Sequence, residues 1–233
     1  MKPGSELLNT PTYVRLRERL RADIVSGVWP LGHHVTLNEL STYYGVSANP
    51  VREALLQLQG DGMVEMRVHR GAVIPLPDSR FVSDVYDLNG CIQAMLTATA
   101  ARRATPADIA RIEEAATEYE RQTAAGEPHA AVMANRQFHR AINNLAGNVP
   151  AIEVLEGRSS LVDAVRAAIG YGGGRIDVVV MQHRALVAAI RQGDPEAAAK
   201  ASQDHTESSK TDLLARMKEW DALLKEKLAS AES

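Results

Sequence analysis

The run from Thr36 to Leu76 constrains the fold of this chain more than any other segment. Thr36 followed three residues later by Glu39 is a capping box that opens a helix, with Leu37, Leu40 and Tyr44 on its inner face. Gly45 permits the left-handed turn that ends it, and Ser47 stands where it can cap the next helix. Pro50 is tolerated there because amide donors in a first turn have no intrahelical partner. Val51, Leu55 and Leu58 then recur at helical spacing and face the core, so Asn49, Arg52 and Glu53 point away. After Gly60-Asp61-Gly62, the segments Met63–Arg67 and Ala72–Leu76 alternate as two strands around Val68-His69-Arg70-Gly71. Gly71 supplies the hairpin turn and lets a sugar-phosphate backbone approach closely. Two short helices at a tight turn, with a wing behind them, lay the second helix in the major groove of duplex DNA.

Arg52 is the side chain expected to read a base, since its planar fork bonds a guanine edge bidentately for ~1–3 kcal/mol of discrimination. The alternative is a surface salt bridge to Glu53 or Asp61. His69 and Arg70 at the wing tip are placed to reach the minor groove or phosphates, or else simply to solvate the hairpin. A helix from Tyr13 to Val25 precedes the motif, with Val14, Leu16, Leu20, Ile24 and Val25 near helical spacing. Net charge is -3, yet residues 1–77 hold 8 Lys and Arg against 7 Asp and Glu, while the remainder holds 18 against 22. Phosphate contacts need only a local basic face. Arg15, Arg17, Arg19 and Arg21, with Arg67 and Arg70, can supply it; solvation of a helix surface is the bland alternative.

Pro75 and Pro77 end the second strand, and helices follow with clear punctuation. Breaks fall at Thr105-Pro106, at Gly126 and Pro128, at Gly147 to Pro150, at Gly172-Gly173-Gly174 and at Asp194-Pro195. Six helices are expected near residues 79–103, 106–125, 128–146, 150–169, 174–192 and 195–228. Leu213, Met217, Trp220, Leu224 and Leu228 stripe the last as a packed helix should be. The expected architecture is mainly α: a winged helix-turn-helix over residues 1–77 and an all-α bundle over 78–233. An aromatic content of 4% with abundant alanine suits close helix packing. One cysteine, Cys91, forms no internal disulfide, which fits a reducing compartment. No apolar run approaches the roughly 18 residues of a membrane span, and the first residues lack a signal-peptide core. A cytoplasmic protein is expected.

The bundle carries chemistry in its histidines. Asn135 and His139 lie four apart and share a helix face. His183 and His205 fall on the fifth and sixth helices. Three imidazoles and one side-chain oxygen from three helices can converge on a metal in a bundle core. Separations of 44 and 22 residues form no compact signature, so ordinary hydrogen-bonded or surface histidines stay open on spacing alone.

Residues 12–77 resemble the winged helix of the GntR family, whose specific string is matched by Pro50-Val51-Arg52-Glu53-Ala54-Leu55. By that resemblance Asn38, Ser47, Asn49, Arg52 and the wing residues His69, Arg70 and Gly71 contact DNA. The family's Ser-Arg-Thr-Pro reads Ser47-Ala48-Asn49-Pro50 here, so one expected arginine contact is missing at Ala48. The helical part resembles the FCD ligand-binding domain of the FadR branch. Its strings are matched by Asn135-Arg136-Gln137-Phe138-His139-Arg140-Ala141, by His183-Arg184-Ala185-Leu186 and by His205. Six helices rather than seven is the pattern of the VanR-like subgroup. The resemblance implies a divalent metal on Asn135, His139, His183 and His205, zinc first, with nickel or manganese as alternatives. Asn135 replaces the usual acid, so a bound cation keeps more of its charge. Asn89 replaces the arginine that usually faces the ligand.

These readings imply a ligand-responsive transcriptional regulator, a repressor by family habit. It would bind a palindromic operator as a homodimer and respond to a carboxylate-bearing metabolite. A different class, a metal-dependent hydrolase or lyase, would need a general base beside the histidines. No recognisable motif supplies one, and the winged helix would go unexplained. A third reading makes the bundle only a dimerisation scaffold.

Overall fold

The structure is a computed structural model that describes residues 11–67 and 70–231; for residue 128 and residues 223–231 only the backbone is described. His69 therefore lies outside the described residues. The chain opens with α1 (Thr12–Val25), which buries Leu16, Leu20, Ile24 and Val25 as its spacing predicts. The two-residue strand β1 (His34–Val35) follows, and then α2 (Leu37–Tyr44). Thr36 opens α2 as expected: its Oγ1 accepts from the Glu39 amide at 3.1 Å, and its own amide donates to Glu39 Oε2 at 3.3 Å. Gly45 closes α2 with φ of 67°.

The next helix, α3 (Ala48–Gly60), buries Val51, Ala54, Leu55 and Leu58. Ser47 occupies its N-cap position but makes no side-chain capping bond, contrary to the expectation. Pro50 contributes: a capping oxygen accepts from the second or third helical amide, and proline at the third leaves only that of Asn49.

The wing also differs from its expected bounds. Its strands are β2 (Glu65–Arg67) and β3 (Gly71–Val73), while Met63 and Val64 turn into the core. A third strand was not foreseen. The sheet runs β1-β3-β2, all antiparallel, pairing His34 with Val73 and Val35 with Ala72. Two residues are too short a run to register as alternation.

Beyond Pro77 come α4 (Ser79–Arg103), α5 (Pro106–Ala124), α6 (Pro128–Ala146), α7 (Val149–Ile169), α8 (Arg175–Gln192) and α9 (Pro195–Ala231). Six helices were expected, and six are present in the described residues of this part. Side-chain oxygens fix the starts of three of them: Asp78 accepts from the Phe81 amide, Thr105 and Asp108 form a capping box, and Asp194 accepts from Glu196 and Ala197. The helical core is built from Ala100, Ile112, Phe138, Ile142, Leu186 and Ile190. The stripe on α9 is only partly inward. Leu213 is buried, Trp220 is 46% exposed, and the Leu224 and Leu228 side chains lie outside the described residues.

The winged-helix core does not stop at its own border. Leu20, Leu40, Val51, Leu55 and Ile74 form one cluster with Val132, Leu161 and Ala164 of α6 and α7. Burying side chains of this kind contributes ~1.5–3 kcal/mol each, so the two parts share apolar stabilisation. Within the winged helix, the Trp29 indole donates to the Tyr44 hydroxyl at 2.8 Å, and that hydroxyl donates to Asp23 at 2.6 Å. This pair of bonds ties α1 to the end of α2.

Candidate functional site

On α3, the side chains opposite the core are free for solvent. Asn49, Arg52 and Glu53 are exposed, as are Asn38 on α2, Ser47 before α3 and Arg70 beside the wing. Arg52 makes no ion pair with a described residue, and the Asp61 carboxylate considered for it is held elsewhere. The first-helix arginines divide. Arg17 and Arg21 both donate to Asp61, at 2.8 and 2.6 Å, and Arg21 is buried, so Arg21 is not part of a phosphate-facing surface. Burial holds the Arg21 guanidinium below its ordinary range, against the pull of Glu18 and Asp61. Arg19 lies over the Tyr44 ring at 5.3 Å. Arg67 pairs with Glu65 at 2.9 Å.

Gly71 has a structural reason that differs from the one its position suggested. Its φ is 87°, and an added Cβ would lie 2.1 Å from the Val35 carbonyl oxygen and 2.9 Å from Thr36 Cα. The close approach that demands glycine is therefore that of β1, within the protein.

The three histidines converge. His139 on α6, His183 on α8 and His205 on α9 bring one ring nitrogen each within 4.8 Å of one another. The Nε2 atoms of His139 and His205 are 3.2 Å apart. Two imidazole nitrogens on one tetrahedral zinc, each at ~2.0–2.1 Å, would lie about 3.3 Å from each other. His205 Nδ1 is 3.1 Å from Gln182 Oε1, a contact that turns the other nitrogen toward its neighbours when Nδ1 carries the proton. His183 stacks on Phe138 with centroids 4.1 Å apart, and its ring is 1% exposed. Neither of its nitrogens has a hydrogen-bond partner among the described residues. An unpartnered buried nitrogen pair is costly in a protein interior, and a cation is what would satisfy one of them.

Electrostatics favour the same use. Burial pushes the His139 imidazole down to about 4. It pushes His183 and His205 well below the ordinary value, with the neighbouring imidazoles adding to the effect. All three are neutral near pH 7, the state in which an imidazole binds a metal. Asn135, one turn before His139 on α6, lines a cavity of about 90 Å³ with His139, and a smaller one of about 40 Å³ with His205. Three neutral imidazoles are a donor set that fits zinc or nickel.

Asn89 stands one layer away. Its Nδ2 donates to Ser159 Oγ at 2.9 Å, and Ser159 lines the larger cavity, while its Oδ1 is buried without a partner among the described residues. Other residues around these cavities did not stand out in the sequence. Arg136 donates to Asp163 at 3.3 Å, and Arg140 pairs with Glu156 at 2.9 Å. Arg166 is buried and held by Asp212 at 2.5 Å. Burial raises the Asp163 carboxyl, opposed by Arg136 and Arg166. A signal existed: Asp163 and Arg166 are charged residues inside the apolar run from Leu161 to Ala168.

Comparison with known proteins follows the same division. Residues 12–74 match the family model for bacterial regulatory proteins of the gntR family, and residues 84–208 match the FCD domain. The HTH-type transcriptional regulator YdhC of Bacillus subtilis (strain 168) is 23% identical over 190 residues, covering 81% of this chain and 85% of that protein. A probable D-xylose utilization operon transcriptional repressor of Paenarthrobacter nicotinovorans is 28% identical over 206 residues, covering 87% and 88%. Among solved structures, E. coli McbR/YncC superposes with a TM-score of 0.82 at 18% identity, covering 89% of this chain and 99% of that one. A putative transcriptional regulator GntR from Rhodococcus sp. RHA1 gives 0.71 at 20% identity, covering 88% and 99%.

Proposed function

This chain belongs to the gntR family of bacterial regulatory proteins and carries an FCD domain, and from that premise we propose that it is a metal-assisted, ligand-released repressor. Residues 1–77 bind DNA and residues 78–233 bind the effector and pair two copies. A homodimer sets two α3 helices in successive major grooves of a palindromic operator. Arg52 reads a base edge; Asn38, Ser47, Asn49, His69, Arg70 and Gly71 lie along the remaining contact. The relative from Paenarthrobacter, named as a probable repressor of a sugar-utilization operon, supports repression as the sign of control. The working compartment is the cytoplasm, where the DNA is; no helix among the described residues is long and apolar enough to cross a membrane.

The observation that carries the effector half is the convergence of His139, His183 and His205, with both His183 nitrogens unpartnered among the described residues. These three, with Asn135 as a neutral oxygen, would hold zinc. Bound there, the ion supplies a Lewis-acid site for a carboxylate. The protein's own part is to keep the imidazoles neutral, orient His205 through Gln182, and line the cavity with Arg136 and Arg140. Asn89 holds Ser159 on the cavity wall. An effector releases DNA only if it prefers a dimer geometry with the wrong half-site spacing.

The test takes the purified full chain through elemental analysis and through binding to a duplex it selects from a random pool. About one zinc per chain is expected, together with weaker DNA binding in the presence of at least one small carboxylate. A protein with no stoichiometric metal, and with DNA affinity indifferent to a broad carboxylate panel, would falsify the effector half. Absence of any salt-sensitive DNA binding would remove the DNA half.

A further inference from the structure

Two guanidinium groups from different parts of the molecule meet on one buried hydroxyl. Ser160 on α7 is fully buried, and its Oγ accepts from Arg21 Nη1 at 3.1 Å and from Arg136 Nη1 at 3.2 Å. The same hydroxyl donates to the Glu156 carbonyl at 2.8 Å. A hydroxyl has one proton and two lone pairs, so these three bonds exhaust it. The Glu156 carbonyl is shared as well: Arg21 Nη1 donates to it at 3.1 Å and Arg136 Nη2 at 3.5 Å.

The far ends of this bridge lie in different machinery. Arg136 follows Asn135 and lines the cavity beside His139. Arg21, on α1, donates through Nη2 to Asp61 at 2.6 Å. Asp61 is the C-cap residue of α3, the helix that presents Arg52. The two ends are held unequally. Arg136 has an acid at 3.3 Å, whereas Arg21 grips its own at 2.6 Å in a buried site. A charge entering the cavity thus acts on the looser end, and whatever it removes from Ser160 is felt at the tighter one.

We infer that Arg136 is a positioning residue joining the histidine pocket to the end of the recognition helix, through the Ser160 hydroxyl and Arg21. The connection rests on the proposed effector reading only for what pulls on it, an anion drawn into the cavity. Its existence is a property of the ligand-free chain and is testable there.

The experiment is hydrogen exchange on the ligand-free full chain, read at backbone amides of residues 57–63 and, as a reference, of residues 109–120 in α5. Arg136→Gln and Ser160→Ala are each expected to speed exchange about fivefold at 57–63, the effect of loosening the hold of Arg21 on Asp61 by about one hydrogen bond's worth, and to leave 109–120 unchanged. The double variant should be no faster than the faster single one, because both cut the same connection. Ser160→Ala removes one atom and serves as the decisive variant should Arg136→Gln fail to fold. Unchanged exchange at 57–63 in Ser160→Ala overturns the inference, and so does a rise shared equally by 109–120, which marks general destabilisation. Failure of the effector reading looks different: no metal and no carboxylate response, with the localised exchange change intact.

Discussion

His139 and His205 face each other nitrogen to nitrogen, Nε2 to Nε2 at 3.2 Å, from helices far apart in sequence. Two imidazoles at that distance share one proton or one cation, and burial sets the terms.

Folded, His139 titrates at about 4, and His183 and His205 lie well below the ordinary 6.5. Released into the unfolded chain, each returns to near 6.5. Between those values the unfolded chain binds more protons than the folded one, so stability rises with pH. Metal-stripped protein is therefore expected to keep its full stability above about pH 7 and to lose it progressively as pH falls from about 6.5 toward 4. Urea midpoints at about pH 7.5, 6 and 5 measure it, and a midpoint that climbs on acidification contradicts the argument.

His183→Leu exchanges two unpartnered buried nitrogens for an apolar side chain against Phe138 and Tyr119. Metal-stripped stability should rise by about 1–2 kcal/mol, since a desolvated polar group without a bond is removed. Added zinc should no longer raise the melting temperature. Melting curves with and without zinc decide it; a variant less stable than the parent without metal would mean those nitrogens are satisfied.

Gly71→Ala forces a Cβ to within 2.1 Å of the Val35 carbonyl at a φ of 87°. Backbone must move, at a cost of about 3 kcal/mol or more. Denaturant titration reads the loss, and a near-neutral effect would show that the wing relaxes freely away from β1.

Arg52→Ala touches an exposed side chain with no ion-pair partner among the described residues. Stability should stay within ~0.5 kcal/mol, while affinity for the selected duplex falls by about 1–3 kcal/mol, roughly fivefold to 150-fold. The salt slope of binding should hardly change, because a base contact rather than a phosphate contact is lost. Fluorescence anisotropy across a salt series separates the two. Unaltered affinity would take Arg52 off the reading face.

Much of the fold is legible because its signals are local. Thr36 with Glu39, Gly45, Thr105 with Asp108 and Asp194 each act within one turn of their own position. The histidines were legible as a set only through motif resemblance, since nothing in separations of 44 and 22 residues announces a meeting point. What stayed hidden is relational. β1 depends on Ala72 and Val73 to be a strand at all, and Asp61 becomes the partner of Arg17 and Arg21 only once α1 crosses α3. Ser47 illustrates a local conflict: its position invites a cap, and Pro50 withdraws one of the two amides that could donate to it.

The pairing of β3 with β1 has a reach beyond the wing. Gly71 leaves Val35 and Thr36 the space that a Cβ would fill, and Thr36 is the residue that starts α2. The hairpin and the helix that precedes α3 are thus bolted at one joint. Such a hand does not open or close its fingers. On the proposed reading, an effector therefore acts by swinging the whole hand at the wrist, where α1 meets α7.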